Sequence, residues 1–428
     1  MTGQTISLPY GRQQVVVSFP PGYKMTTLAA RSGGAHPDPA AAVLAALRQP
    51  LGRPPLREWV HPGEKVAIIT SDATRPALQY LYLPYILAEL EEAGVADEDV
   101  LLVIGVGTHR PPTAAEIRRL LGETADRIAV TWSNCDDDAG LVHLGTTSRG
   151  TPVRIFRPVA EADRVLLTGS IHHHVLAGFS AGPKSLLPGV AGRDSIEANH
   201  ALVLNPAGGL NPHCAAGVLD DNPLHEDFVE ALRLFPRPLF LVNIVPAPEG
   251  GLLHVAAGDV VSAHRQGCRL ADATYAVTAA EPRPFVFASC GGYPSDAVFY
   301  QSSKGLMNLS LALTGGGTAV LVAACDEGLG AEMFVEWLRL GSPEAIHEQL
   351  HAAFTVPGCI AYIVTSLVRR AHIILVSELE LALTREFGLI PAASPQAAVD
   401  MVVQRLGPQA SGYLLPKASI TVPKPALP

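Results

Sequence analysis

Short apolar segments alternate along the chain with segments in which apolar residues recur at helical spacing. The apolar segments are rich in β-branched residues and carry them at successive positions, as do strands of parallel sheets that helices cover on both faces. Strands are predicted over residues 65–70, 100–106, 127–132, 164–168, 239–245, 284–289, 318–324 and 372–376. Helices are predicted over residues 78–93, over 114–121 after an N-cap at Thr113, and over 260–275. The pattern therefore predicts an α/β fold with largely parallel sheets.

A change of pattern near residue 275 predicts a division into two α/β domains. The predicted helix over 260–275 is followed by the breaker Glu281-Pro282-Arg283-Pro284 and then by a new strand. We expect an N-terminal domain over residues 1–275 and a C-terminal domain over residues 276–405. The Pro-rich segment 406–428 holds one short β-like piece at 420–422 and is expected to pack back on the N-terminal domain.

Composition excludes several classes of protein. Hydrophobic residues make up 48% of the 428 residues and charged residues 17%, which excludes a disordered chain, a collagen and a coiled coil. The longest apolar runs are too short for a membrane helix, and the N-terminal residues lack the pattern of a signal peptide. The net charge of −9 disfavours nucleic acid and anionic membranes as partners. Six dispersed cysteines without a CxxC pair indicate reduced, mostly buried thiols, so we expect a soluble cytoplasmic protein.

Four predicted strands end in polar segments, at the edge of the sheet where ligands bind in α/β folds. These segments are SDATRP (71–76), GTHRP (107–111), GSIHHH (169–174) and CGGYP (290–294). Four of them in one chain, carrying Asp, Arg and several His, indicate a composed site. The alternative for Asp72 and Arg75 is a simple ion pair near a helix start.

The segment HHHVLAGFSAGPKSLLPGVAG (172–192) is the most unusual part of the sequence. If its three histidines continue the preceding strand, His172 and His174 share one face. Gly178, Gly182 and the intervening residues predict a tight loop that places Lys184 beside backbone N–H groups, an arrangement suited to an anion. The spacing does not match a Walker A loop, because three residues rather than four separate the glycines and a proline precedes the lysine.

Isolated histidines are most often structural. That interpretation is favoured for His143, His213, His225, His254 and His347. The neighbouring motifs favour a functional role for a second group, His109, His174 and His200. Zinc remains an alternative for the cluster at 172–174, although no HExxH or CxxC spacing supports it.

The segment GGYPSDAVFYQSSKG (291–305) also carries candidate chemistry. Its Pro-Ser pair at 294–295 suits a helix start. On such a helix Tyr300, Gln301 and Lys304 share one face, where an amide and an ammonium could bind a carboxylate. A solvated polar face is the alternative.

Five of these motifs occur in the order found in a known family, and the chain resembles the nickel-dependent lactate racemase superfamily. The resemblance extends from about residue 65 to residue 377. It is carried by SDATRP (71–76), GTHRP (107–111), HHHVLAGFSAGPKSLLPG (172–189), Asn199-His200 and GGYPSDAVFYQSSKG (291–305). It implies two α/β domains with the active site in the cleft between them, and a racemase or epimerase of a 2-hydroxy acid.

The resemblance also implies a cofactor and the residues that bind it. Lys184 would hold a nickel-pincer nucleotide, pyridinium-3-thioamide-5-thiocarboxylic acid mononucleotide, covalently through its thioamide. His200 would complete square-planar nickel(II), whose other ligands are two sulfurs and a carbon of the pincer. Enzymes that make the cofactor would be partners in maturation. The implied site residues are His109 and His174 as acid–base pair, Asp72, Ala73, Thr74 and Arg75 for the nucleotide, and Arg75, Tyr300, Gln301 and Lys304 for the substrate.

The implied chemistry is physically reasonable. The C2 proton of a 2-hydroxy acid is very weakly acidic, whereas a hydride leaves more easily if the hydroxyl loses its proton at the same time. Histidine, with a pKa near ~6.5, suits that proton transfer, and two histidines on opposite faces would serve the two enantiomers. The keto acid would rotate and take the hydride back on its other face.

Two other functions stay open for a chain of this kind. One is net redox or lyase chemistry on a hydroxy acid with the same cofactor, and the other is non-catalytic binding of nickel or a nucleotide. Some relatives carry a Trp or a Gly-x-His-Lys sequence near Gly358-Cys359-Ile360, and this chain has neither there. The catalytic residues are therefore better supported than lactate as the substrate.

Overall fold

The computed structural model describes residues 3–31, 33–73, 77–205 and 207–425, which form two units. The continuous unit is Ser32–Thr274, and the discontinuous unit joins Met1–Arg31 to Tyr275–Pro428. One boundary thus falls beside residue 275, where the sequence predicts a break.

The chain begins with strands of the discontinuous unit. They are β1 (Gln4–Tyr10), β2 (Gln13–Phe19) and β3 (Tyr23–Thr27). The first two form an antiparallel hairpin that buries Leu8, Tyr10, Val17 and Phe19, whereas Val16 is exposed.

The continuous unit follows the order expected of an α/β fold. Its elements are α1 (Pro39–Arg48), α2 (Leu56–Trp59), β4 (Val66–Ser71), α3 (Gln79–Glu92), β5 (Val100–Gly105), α4 (Ala114–Leu121), α5 (Thr124–Arg127), β6 (Ala129–Trp132), β7 (Leu141–Thr146), β8 (Pro152–Phe156), α6 (Arg157–Ala160), β9 (Arg164–Ser170), β10 (His173–His174), β11 (Gly178–Phe179), α7 (Arg193–Ala201), α8 (Pro223–Leu234), β12 (Leu239–Pro246), β13 (Leu252–Gly258) and α9 (Val260–Tyr275). Thr113 caps α4 in a capping box with Glu116, as its sequence predicts.

The main sheet of the continuous unit has the order β13-β12-β9-β4-β5-β6. Its strands are parallel except for β13, which pairs antiparallel with β12 at the edge. The apolar side chains of β4, β5 and β12 pack with those of α1 and α3 in one core. Burial on both faces explains why these strands are apolar at successive positions.

The remaining elements complete the discontinuous unit. They are β14 (Ala276–Ala279), β15 (Arg283–Ser289), α10 (Phe299–Ser310), β16 (Leu313–Val322), α11 (Glu332–Leu338), α12 (Pro343–Ala352), α13 (Val356–Arg370), β17 (His372–Val376), α14 (Leu381–Glu386), β18 (Ile390–Ala392), α15 (Pro395–Leu406), β19 (Ala410–Leu415) and β20 (Val422–Pro425). The main sheet is parallel throughout and has the order β18-β17-β16-β15-β19-β3.

The predicted α/β class with largely parallel sheets is confirmed, and each predicted strand is present. The largest difference in bounds is in β16, which begins at Leu313 because its glycine-rich start is extended and pairs with Arg283. The predicted thiols are also confirmed, since the six cysteines are free and buried. Among the described residues, no helix is both long and apolar enough to cross a membrane.

The predicted allocation of the chain ends is wrong. Residues 3–31 belong with the C-terminal sheet rather than with an N-terminal domain, because β3 pairs with β19. The segment 406–428 does not pack on an N-terminal domain either: β19 pairs with β15, and β20 pairs with β14. These pairings join residues far apart in sequence, which local patterns do not reveal.

The strand continuation considered for the histidine segment is not observed, and one predicted helix start is wrong. The histidines at 172–174 do not continue β9, which ends at Ser170; two of them form the separate short strand β10. The helix expected to start at Pro294 and Ser295 begins only at Phe299, with Val298 as its N-cap.

Candidate functional site

The candidate site lies where the chain reverses its direction of travel across the sheet of the continuous unit. From β4 the chain proceeds to β5 and β6 on one side, and it then returns to β9 and β12 on the other side. Ligands of open α/β sheets bind beyond the carboxyl ends of the strands at such a switch point. Asp72 directly follows β4, and the histidine segment follows β9.

Asp72 and His109 form a hydrogen-bonded pair at this edge. Nδ1 of His109 lies 2.7 Å from Oδ2 of Asp72, whose residue is only 7% exposed. Because the carboxylate accepts, the imidazole donates from Nδ1 and keeps its lone pair on Nε2. The His109 side chain is half exposed, so Nε2 is able to meet a ligand.

His174 is held in the opposite tautomer. It lies in the hairpin of β10 and β11, where its Nδ1 accepts hydrogen bonds from the backbone N–H groups of Leu176 and Ala177 at 3.3 and 3.1 Å. A neutral imidazole that accepts at Nδ1 carries its hydrogen on Nε2. His174 therefore donates at Nε2, whereas His109 accepts there.

His173 attaches this hairpin to α9. Its Nε2 lies 2.8 Å from Oδ1 of Asp272, and its ring packs on Phe179 with centroids 4.8 Å apart. A two-stranded ribbon of two residue pairs is not stable by itself, so these contacts fix the position of His174.

Lys184 lies in a 3₁₀ turn, Gly182–Ser185, that packs against β9, β4 and α8. The N–H of Gly182 donates to Oδ1 of the buried Asn243 at 2.8 Å. Gly182 has a φ of +57°, and a β-carbon built on it would lie 2.4 Å from the ring of His264. Ala181 before it also has a positive φ, of 60°, so the backbone entering the turn is strained.

An aromatic ring links Lys184 to His200. Nζ of Lys184 lies 4.8 Å from the ring centroid of Phe228 on α8, and the ring of His200 lies 6.2 Å from the same ring. Burial, together with the charge of Lys184, lowers the pKa of His200 to about 3. His200 is therefore neutral at physiological pH.

The imidazole of His200 fits the role of a metal ligand. Its Nδ1 donates to the carbonyl oxygen of Ile196 at 2.9 Å, which leaves the lone pair on Nε2. In the described part of the chain, no group of three His, Cys, Asp or Glu residues is arranged to hold a metal. A metal at His200 would thus take its other ligands from a bound group, as a pincer cofactor would supply them.

Sequence reasoning missed two contacts of this site, Phe228 and Asn243. Asn243 could have been found, because it is the one amide within the apolar strand β12 and is fully buried. Sequence reasoning classed His225 as structural. Its ring stacks on the ring of His264, with the centroids 6.0 Å apart. Burial lowers the pKa of His225 to about 3 and that of His264 to about 4.

The predicted substrate residues lie on α10 of the discontinuous unit. Nζ of Lys304 donates to Oε1 of Gln301 at 2.6 Å, so these two side chains do share a face. Tyr300 packs edge-on against Phe334. Of the predicted nucleotide-binding residues, Ala73 lies in a turn after β4, and Thr74 and Arg75 lie outside the described residues.

The region that carries a Trp in some relatives is the start of α13. Gly358 lies there against Trp337 of α11, and a β-carbon on this glycine would be 2.6 Å from the indole ring. A tryptophan that is distant in sequence therefore packs on this segment.

Family models match most of the chain. The lactate racemase N-terminal domain matches residues 10–211, and the lactate racemase C-terminal domain matches residues 278–422. The chain belongs to the lactate racemase family. The predicted resemblance is thereby confirmed, and so is the prediction of an enzyme of the isomerase class.

Individual members of the lactate racemase family are similar over most of their length. The lactate racemase of Thermoanaerobacterium thermosaccharolyticum is 31% identical over 339 residues, and that of Lactiplantibacillus plantarum is 30% identical over 342 residues; each alignment covers 78% of both chains. The solved structure of the lactate racemase apoprotein from T. thermosaccharolyticum superposes on this chain with a TM-score of 0.90 and 26% sequence identity. The superposition covers 98% of this chain and 100% of that chain. A Thermotoga maritima protein, with a TM-score of 0.65 and 16% identity, shares the fold.

Proposed function

We propose that this enzyme racemises a 2-hydroxy acid such as lactate, with a nickel-pincer nucleotide attached at Lys184 and nickel bound by His200. The observation that carries the proposal is the combination of Lys184 with a neutral, deeply buried His200 around Phe228. Family membership supports lactate as the first substrate to test, because the two relatives described above are lactate racemases. When bound, the cofactor would supply an acceptor for the C2 hydride.

We assign proton transfer at the substrate hydroxyl to His109 and His174. His109 is ready to accept a proton at Nε2, because Asp72 takes the hydrogen on Nδ1. His174 can donate a hydrogen bond to a substrate oxygen from Nε2, because backbone N–H groups occupy its Nδ1. In each direction one histidine, as neutral imidazole, takes the hydroxyl proton, and the other, as imidazolium, returns a proton to the product oxygen. The direction of racemisation determines which histidine acts as the base.

Gln301 and Lys304 are proposed to bind the substrate carboxylate. Their mutual hydrogen bond holds the ammonium and the amide side by side, and the amide N–H₂ group remains a donor. A carboxylate near such a pair gains charge-assisted hydrogen bonds. Tyr300, Arg75 and the nucleotide-binding residues Asp72, Ala73 and Thr74 complete the proposed set, and enzymes that make the cofactor are the proposed partners.

Cofactor attachment is tested by mass spectrometry of protein produced together with a cofactor-making pathway. We expect an added mass on the peptide that contains Lys184 and about one nickel per chain. Lys184→Ala should lack the adduct, whereas His200→Ala should keep it and lose nickel. Normal nickel content and activity in Lys184→Ala protein would refute the proposal.

The fate of the C2 hydrogen tests the reaction itself. A transferred hydride does not exchange with water, whereas a proton held on His or Lys does. Racemisation of lactate in D₂O should therefore give product that keeps its C2 hydrogen. Full incorporation of deuterium at C2 would instead indicate proton abstraction without the cofactor.

A further inference from the structure

The sheet of the discontinuous unit has a switch point of its own, between β15 and β19. From β15 the chain proceeds to β16, β17 and β18 on one side, and it then returns to β19 on the other side. The same reversal occurs between β4 and β9 in the continuous unit, at the candidate active site. The second switch point is thus a second place where this fold favours a ligand.

A concavity of about 510 Å³ lies at this point. Gly291, Gly292 and Tyr293, which follow β15, form one wall, and Lys417, which follows β19, forms another. The turn between β1 and β2, with Arg12, forms a third. The volume lies within the usual range for small-molecule sites.

The lining of this concavity is basic. Arg12 and Lys417 contribute positive charge, and none of the described lining residues carries a carboxylate, although the whole chain has a net charge of −9. The guanidinium of Arg12 stacks on the ring of Tyr293 at 3.6 Å from its centroid. Within the described residues that guanidinium forms no ion pair and no hydrogen bond, so its N–H donors are available to an anion.

The glycine pair adds a backbone donor. Gly291 and Gly292 have φ values of +120° and +77°, and a β-carbon on Gly292 would lie 3.1 Å from the carbonyl oxygen of Gly11. The N–H of Gly292 has no acceptor among residues 3–31 and 275–425, although the residue is buried. Backbone N–H groups in turns of this kind bind anions, phosphate above all.

The walls are held in place before any ligand binds. Oδ2 of the buried Asp296 accepts a hydrogen bond from the N–H of Gly11 at 2.7 Å. The N–H of Tyr293 donates to the carbonyl oxygen of Gly11 at 2.8 Å. The turn that carries Arg12 is therefore fixed to the loop that carries the glycines, and binding requires little ordering of the backbone.

We propose that this concavity binds a phosphate group, as inorganic phosphate or as part of a small metabolite. Arg12 and Lys417 neutralise the charge, and the N–H of Gly292 donates to an oxygen. The predicted substrate residues Tyr300, Gln301 and Lys304 are not part of the lining. Arg12, Lys417 and Gly292 are not among the residues proposed above for racemisation, and the test of this site requires neither cofactor nor turnover.

The test uses the full chain produced without cofactor. Phenylglyoxal modifies exposed arginines, and peptide mass spectrometry measures modification at Arg12 with and without inorganic phosphate or AMP. We expect both compounds to protect Arg12 if a phosphate group alone is recognised, and AMP alone to protect it if the site requires a nucleotide. Arg385, which is exposed in the same unit, should be modified equally in all samples.

Calorimetric titration of variants supplies the second measurement. Arg12→Gln with Lys417→Gln should weaken phosphate binding at this site by about tenfold or more, since charge-assisted hydrogen bonds are lost. The matched charge removal, Arg385→Gln with Lys24→Gln, should leave binding unchanged. Protection confined to arginines of the continuous unit, or equal binding by both double variants, would overturn the proposal.

Discussion

Replacement of Gly182 by alanine tests how tightly the turn that carries Lys184 is constrained. The added β-carbon would lie 2.4 Å from Cγ and Cδ2 of His264, well inside van der Waals contact. That ring cannot easily move away, because its Nε2 is hydrogen-bonded to the carbonyl oxygen of Ser180 at 2.9 Å and the residue is 1% exposed. The left-handed backbone at φ +57° adds a second cost for any residue with a β-carbon.

The size of the effect follows from these two costs. The left-handed conformation costs alanine about 1–2 kcal/mol, and overpacking a buried site costs about 1–3 kcal/mol. We therefore expect Gly182→Ala to lower the free energy of unfolding of the continuous unit by about 2–5 kcal/mol. Gly63→Ala is the matched control, because Gly63 has a φ of +81° and a β-carbon added to it would have no atom within 4 Å, so that only the backbone cost applies.

The assay must separate the two units. Hydrogen-exchange mass spectrometry at increasing urea follows peptides from residues 33–274 separately from the rest of the chain, and thus yields the stability of the continuous unit. The reasoning is refuted if Gly182→Ala destabilises this unit no more than Gly63→Ala does. Cofactor attachment at Lys184 should also fall in Gly182→Ala protein, which the same mass spectra would show.

Three further predictions concern acid stability, the acid–base pair and the discontinuous unit. The free energy of unfolding should fall as the pH drops from about 6.5 towards 4. Burial lowers the pKa of His225 to about 3, so the unfolded chain binds more protons than the folded chain in this range. In urea titrations, His225→Gln should reduce the slope of stability against pH by up to about 1.4 kcal/mol per pH unit. Asp72→Asn should lower kcat by about 10²-fold or more in racemisation assays, because the carboxylate that orients the imidazole of His109 is lost. The Lys184 adduct should be retained. Gly358→Ala should destabilise the discontinuous unit by about 1–3 kcal/mol in urea-dependent hydrogen exchange, because its β-carbon meets Trp337.

Each of these predictions has a contradicting result, and the two predictions on stability have a control variant. His213→Gln, at an exposed position, should leave the pH slope unchanged, and an unchanged slope in His225→Gln would contradict the first prediction. Loss of the Lys184 adduct from Asp72→Asn protein would contradict the second prediction, because the fall in activity would then follow from cofactor loading rather than from the orientation of His109. Gly315→Ala has no neighbour within 4 Å of its β-carbon, so a stability loss equal to that of Gly358→Ala would contradict the third.

The parts of the fold that follow from local pattern were predictable. Strand β17 has the predicted bounds and α4 begins at the predicted cap, because burial on both faces and a capping box leave a signature in consecutive residues. The pairing of β3 with β19 was not predictable, since about 390 residues separate the partners and no pattern in either strand specifies the other.

The candidate site shows the same limit. The polar residues after β4 and β9 were visible in the sequence because such residues interrupt an apolar pattern. The hydrogen bond between Asp72 and His109 was not visible, because it depends on two loops from neighbouring strands. The tautomer of His174 depends on the backbone of a short hairpin that the sequence suggested as a strand continuation.

One sheet combines a strand that precedes the continuous unit with strands that follow it, and this order has a consequence for synthesis on the ribosome. Strand β3 is made before the continuous unit, whereas its partner β19, at Ala410–Leu415, is made after it. The continuous unit between them has its complete sheet as soon as residue 274 has emerged, so it can fold while the ribosome is still translating the rest. Folding of that unit also brings the flanking segments closer, which shortens the effective loop that β3 and β19 must close. The turn that carries Lys184 can thus fold before the sheet that pairs β3 with β19 is able to form.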